Sequence, residues 1–148
     1  MSLTVKKPSQ FAPLTLAYIG DDVYDIYVRT RVIEEHEDMP PNKLHRITSG
    51  YVRAHAQANS IKALLPYLTE DETAIFKRGR NSKPYTMAKN ATAADYHMAT
   101  GLEALFGFLY LSEKTERLNE LMQIAYENAH TERNGTLDNK VNQTREEK

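Results

Sequence analysis

Two carboxylates in this chain stand on helical faces that are otherwise apolar. Asp21 follows Leu16-Ala17-Tyr18-Ile19-Gly20, and Glu103 lies inside Thr100-Gly101-Leu102-Glu103-Ala104-Leu105-Phe106-Gly107. Burying an ionised carboxylate is costly unless positive charge meets it. Two such acids, far apart in sequence, point to a shared cation. The competing roles are structural. Asp21 could be a cap or a core acid bonded to Tyr or Arg, with Gly20 marking a local break. Glu103 could be half of a buried ion pair with Arg29, Arg31 or Arg53. Asp25, one turn after Asp21, is a candidate second carboxylate. Asp22 is rotated by about 100° and reads as solvated or paired. Gly101 and Gly107 flank Glu103 at i−2 and i+4. Glycine inside a helix costs about 1 kcal/mol relative to alanine, so two of them suggest close approach by another backbone or a ligand.

A second constellation is basic. From Lys77 to Lys89 the chain carries Lys77, Arg78, Arg80, Lys83 and Lys89, with Asn81 among them and no acid. Charge with small polar residues suits phosphate contact; a solvated loop is the plainer alternative. No Gly-x-x-x-x-Gly-Lys-Ser/Thr pattern occurs, so this is not a nucleotide-phosphate loop. The histidines show no metal-binding spacing either.

These residues must be positioned by helices. Leu14, Ala17, Tyr18, Asp21, Tyr24, Asp25 and Val28 share a face at three- and four-residue steps, predicting a helix from Pro13 to about Glu35. Pro40-Pro41 ends it. A second helix is expected from Asn42 or Lys43 to Leu65, closed by Pro66. Thr69 with Glu72 forms a capping box, opening a helix to about Arg78. Gly79 to Ala91 reads as a loop. Thr92 caps a strong helix to Leu111, and Ser112 is expected to cap a last one from Glu113 to about Ala129. Residues 1–10 read as an irregular lead-in, 11–129 as one folded domain and 130–148 as a disordered polar tail. The expected fold class is all-α, with five or six helices and no strand.

Composition is consistent with this. The 148 residues suit one domain, 41% of them are hydrophobic, and formal net charge is −1, so total charge does not indicate a polyanion partner. The chain contains no cysteine, which excludes disulfides and thiolate metal sites and fits a cytoplasmic protein. No apolar run approaches membrane-spanning length, and the N-terminus lacks the apolar stretch of a secretory signal.

Tyr18-Ile19-Gly20-Asp21-Asp22-Val23 resembles the signature helix of the ribonuclease III family. Thr100-Gly101-Leu102-Glu103-Ala104-Leu105-Phe106-Gly107, with Tyr110-Leu111 after it, resembles that family's second acidic motif. Order and spacing agree from about Leu14 to Tyr126. The length, the lack of a double-stranded-RNA-binding domain and Lys77-Arg78-Gly79-Arg80-Asn81 resemble its Mini-ribonuclease III branch. Leu14, Ala17 and Thr100 stand where the larger family has further acids, so only Asp21 and Glu103 carry over. The resemblance implies a helical homodimer that cleaves double-stranded RNA with Mg²⁺, leaving 5′-phosphate and 3′-hydroxyl ends. Asp21 and Glu103 would be catalytic metal ligands, with Thr100 holding a metal-bound water. Lys77, Arg78, Arg80, Asn81, Lys83 and Lys89 would contact RNA, and the precursor of 23S ribosomal RNA is the implied substrate. Two rivals remain at this point: a non-catalytic helical RNA-binding module of the same fold, and a helical interaction protein with no metal site.

Overall fold

The computed structural model describes residues 6–82 and 92–146, with side chains described as far as residue 132. Among the described residues every regular element is helical. Six α-helices follow in order: α1 (Pro13–Glu35), α2 (Pro41–Val52), α3 (Ala54–Leu64), α4 (Glu70–Arg80), α5 (Ala93–Leu111) and α6 (Thr115–Glu146). Short 3₁₀ turns at Pro8–Gln10 and Leu65–Tyr67 lead into α1 and α4. None of the described helices is long and apolar enough to cross a membrane.

α5 is the axis of the fold. Its face is apolar nearly all round: Leu102, Ala104, Leu105, Phe106 and Leu109 are fully buried, as expected for a helix surrounded by others. Glycines set how closely its neighbours approach. A methyl group added at Gly20 on α1 would overlap the backbone carbonyl of Glu103, and one added at Gly107 would overlap the carbonyl of Leu16. The two glycines therefore make a backbone-to-backbone crossing of α1 and α5. Gly20 marks no break, since α1 runs unbroken through it. A second crossing joins α4 to α5. A methyl at Gly79 would meet Ala104 Cβ at 2.8 Å, and one at Gly101 would meet the Phe76 ring at 2.6 Å. Gly79 reads as a loop residue from its polar neighbours, but it is buried in the last turn of α4.

The expected helix caps are present at two starts. Thr69 Oγ1 accepts from Glu72 N (3.2 Å) while Glu72 Oε1 accepts from Thr69 N (2.9 Å). Thr92 Oγ1 accepts from Asp95 N at 3.1 Å. Ser112 instead ends α5. Glu113 takes the left-handed conformation (φ 59°), and Lys114 N donates to Leu109 O at 3.0 Å, closing the helix before α6 begins at Thr115.

Two further expectations are corrected. The single helix predicted from Asn42 or Lys43 to Leu65 is two helices, because Arg53 is extended (φ −64°, ψ 155°). No Pro or Gly marks that break; the tie that holds it is tertiary and is described below. The last helix was expected to stop near Ala129, but α6 runs to Glu146. A polar composition removes burial, not helicity, and this stretch has no proline to stop it.

Aromatic packing joins the long helices. Tyr51 and Tyr126 stack with ring centres 4.3 Å apart, and the Arg31 guanidinium lies 4.4 Å from the centre of the Tyr126 ring. Tyr126 Oη donates to Glu35 Oε2 at 2.9 Å, joining α6 to the end of α1.

Candidate active site

The α1–α5 crossing places Asp21 beside Glu103. Gly20 meets the carbonyl of Glu103, so the next residue along α1 stands next to that part of α5. Both side chains line one open cleft of about 480 Å³, together with Leu14, Ala17, Thr100 and, from the α2–α3 junction, Val52, Arg53, Ala54 and Gln57. The positions where the larger family carries further acids are thus cleft positions here, occupied by residues without charge.

The electrostatics of the pair are those of unneutralised acids. Burial raises the Glu103 carboxyl to about 8; the nearby Asp21 charge adds to this, and a hydrogen bond with Gln57 opposes it. Asp21 is also raised, first by burial and then by Asp22 and Asp25. Two of the three arginines that competed for these acids pair elsewhere, and the third, Arg53, lines the cleft without a described ion pair. Arg29 Nε binds Asp25 Oδ2 at 2.7 Å, and Arg31 lies 3.9 Å from Glu35. Asp25 is therefore a partner of Arg29, not a second acid of the site. Asp22 is exposed at the cleft edge. Among the described residues no ion pair reaches Asp21 or Glu103.

This donor set suits a hard divalent cation. Two carboxylates, each raised by burial and by a neighbouring carboxylate, have no described ion-pair partner, and their oxygens are the ligands such an ion prefers. Among the described residues no group of three or more His, Asp or Glu gathers at one point. A cation held here would keep several waters, as Mg²⁺ does. Thr100 lines the cleft but directs its hydroxyl hydrogen to Tyr96 O (2.9 Å), leaving the oxygen lone pairs to accept.

The basic constellation divides. Lys77, Arg78 and Arg80 form the last turn of α4, where positive side chains also oppose the helix dipole. Arg78 is engaged by the lead-in: Nη1 donates to Ser9 O (2.9 Å) and Nη2 to Phe11 O (3.1 Å). Arg80 lies over the Phe76 ring, and its Nε donates to Asn81 Oδ1 at 3.2 Å. Lys77 and Asn81 are exposed. Lys83 and Lys89 lie outside the described residues.

Sequence reasoning did not find Gln57. It is 2% exposed, and its Nε2 donates to Val52 O at 2.7 Å, taking up a carbonyl left without an α-helical donor where α2 ends. The available signal was its register: Gln57, Ile61 and Leu64 share a buried face at steps of four and three.

Comparison with known proteins agrees with the geometry. A family model described as the ribonuclease III domain matches residues 14–114. A Clostridium tetani protein named Mini-ribonuclease 3 is 50% identical over 115 residues, spanning 78% of this chain and 76% of that protein. A Thermoanaerobacter protein of the same name is 42% identical over 123 residues, spanning 83% of this chain and 86% of its own. A crystal structure of a Fusobacterium nucleatum protein superposes with a TM-score of 0.73 at 27% identity, covering 82% of this chain and 97% of that one. With two acids meeting at a glycine crossing inside the matched span, the chain is an endoribonuclease that belongs to the ribonuclease III family, in its Mini-ribonuclease III branch.

Proposed function

We propose that this endoribonuclease hydrolyses double-stranded RNA with Mg²⁺ held by Asp21 and Glu103. We further propose that it works as a homodimer in the cytoplasm and trims the precursor of 23S ribosomal RNA. The observation that carries the catalytic part is the cleft itself: two carboxylates from different helices, both raised by burial and by a neighbouring carboxylate, with no described ion pair to either. When bound, the ion supplies Lewis acidity, activating water and stabilising charge on phosphate oxygens. The chain's own residues do the rest. Asp21 and Glu103, fixed by the α1–α5 crossing, hold the charge that anchors the ion. The Thr100 oxygen accepts a hydrogen bond from a water at the site. Water attacks phosphorus and the bond to the 3′-oxygen breaks. That oxygen takes a proton, leaving 3′-hydroxyl and 5′-phosphate ends. Lys77, Arg80 and Asn81, with Lys83 and Lys89, supply donors for the duplex backbone, which is read mainly by shape and phosphate position. Arg78 contributes indirectly, by fixing the lead-in against α4.

Replacing Asp21 by Asn tests the reading. The variant keeps its fold, because the position faces the cleft, and loses at least about 100-fold in Mg²⁺-dependent cleavage of a duplex RNA. End analysis of the wild-type products finds 5′-phosphates. An Asp21→Asn protein that cuts at the wild-type rate overturns the metal role. A wild-type protein that binds duplex RNA and never cuts it returns the non-catalytic module.

A further inference from the structure

The cleft has one wall that the carboxylate pair does not explain. α2 ends at Val52 and α3 starts at Ala54, with Arg53 alone extended between them. Arg53 and Ala54 line the same cleft as Asp21 and Glu103. The Arg53 side chain is exposed and takes part in none of the described ion pairs, although two acids share its cleft. No side chain caps the start of α3. The first amide of that helix with a backbone acceptor is Gln57 N, which donates to Arg53 O at 3.1 Å. The amides before it are the unpaired donors that helix starts offer to anions.

Gln57 adds an independent observation. Its side chain is almost wholly buried at this wall, its Nε2 donates to Val52 O at 2.7 Å, and its Oε1 has no partner. It also hydrogen-bonds Glu103. One amide therefore ties the junction to the acid. A buried acceptor left unpaired costs about 1–3 kcal/mol, and native proteins rarely keep one without a reason. Oε1 can accept only from a donor such as water, and the donors this wall offers an anion are Arg53 and the opening amides of α3.

We propose that the α2–α3 junction is the phosphate seat of this cleft. Arg53 and the opening amides of α3 hold a non-bridging oxygen of the RNA phosphate that faces Asp21 and Glu103, and Gln57 is a positioning residue that keeps the seat and Glu103 in register. The carboxylates repel a phosphate, so a positive wall in the same cleft resolves a conflict that the acids alone create. Guanidinium matches two phosphate oxygens with paired donors, which ammonium does not. The inference rests on the catalytic reading above.

The test separates rate from affinity. Single-turnover cleavage of a duplex RNA is measured for the wild type, Arg53→Gln and Arg53→Lys. Duplex affinity is measured for the same changes on the Asp21→Asn background, which does not cut. Arg53→Gln is expected to slow cleavage at least about tenfold with affinity little changed, because one charge among many backbone contacts matters most at the reacting phosphate. Arg53→Lys regains part of the rate. Thermal unfolding stays at the wild-type midpoint, since the side chain is exposed. Cleavage at the wild-type rate by Arg53→Gln overturns the seat. So does a rate loss matched by an equal loss of affinity, which makes Arg53 a remote backbone contact. A wild type that fails to cut, or an Asp21→Asn protein that cuts, defeats the catalytic reading itself and takes the seat with it.

Discussion

Glu72 and Glu103 are both glutamates packed against the same helical core, and their surroundings are opposite. Glu72 caps α4 through Thr69 N, and its two oxygens accept from Arg117 Nε (2.9 Å) and Nη2 (2.8 Å). The same guanidinium reaches Tyr67 O at 2.6 Å. Arg117 first, with Thr69 assisting, holds the Glu72 carboxyl below the usual range even though burial pushes it up. Glu103 has no such cation, and burial raises it to about 8. On the function proposed above, the difference separates a structural acid from a functional one. A carboxylate closed by its own arginine stabilises the fold and can bind nothing else. One left open holds a proton in the cation-free protein up to about pH 8 and gives it up when a cation binds.

The comparison breaks most completely at the crossing that both regions depend on. Gly20→Ala adds a methyl where the Glu103 backbone already lies. Helix propensity favours alanine by about 1 kcal/mol, but two backbones cannot be pushed apart so cheaply. The expected loss is about 4 kcal/mol or more, read by denaturant unfolding, with cleavage lost as well. A Gly20→Ala protein of wild-type stability means that α1 and α5 do not cross there. The next largest effect isolates Glu72. Arg117→Met keeps bulk and removes the charge, leaving a buried carboxylate with only its cap contacts. About 3 kcal/mol of stability should go, while the cleavage rate per folded molecule is unchanged. A rate that falls with folding intact makes the Glu72 region part of the site.

The fold was legible where local chemistry decides it. Pro13, the Thr69–Glu72 box and Thr92 mark starts that the backbone obeys, and apolar runs with helical period define α1 and α5. The acids at 21 and 103 were legible because a charge on an apolar face is conspicuous. What stayed hidden depends on contacts made at a distance. Gly79 looks like a loop residue until α5 is packed against it. The break at Arg53 has no breaker in the sequence, because it is held by a side chain four residues on and by the packing around it. Gln57 is invisible among alanines until its amide is seen to bridge Val52 and Glu103. Arg78 looks like its basic neighbours, and only the folded lead-in supplies the carbonyls it binds. Charge patterns report which residues are costly to bury, but not which partner meets them.

The smallest effect sharpens the comparison through pH. Glu103 titrates at about 8 in the folded chain, against 4.5 for a free glutamate. Between those values the native state holds a proton that the unfolded chain has released, so the stability of the cation-free protein falls as pH rises. Its full contribution is present below about 4.5 and gone above about 8. Water in the open cleft screens the group, so the total is about 1–2 kcal/mol. Glu72 runs the other way. Its carboxyl is lowered, so its contribution is present above the ordinary glutamate range and is lost as pH falls through the folded value. Thermal unfolding in a chelator from pH 5 to 9 should therefore show a midpoint that declines with pH. Glu103→Gln, which carries no titrating proton, should flatten that decline and leave the alkaline protein more stable while inactive. Adding Mg²⁺ at pH 8 should raise the wild-type midpoint and leave Glu103→Gln nearly unmoved, because an ion bound only by the native state stabilises it. A decline that persists unchanged in Glu103→Gln assigns the proton to another group and removes the contrast between the two glutamates.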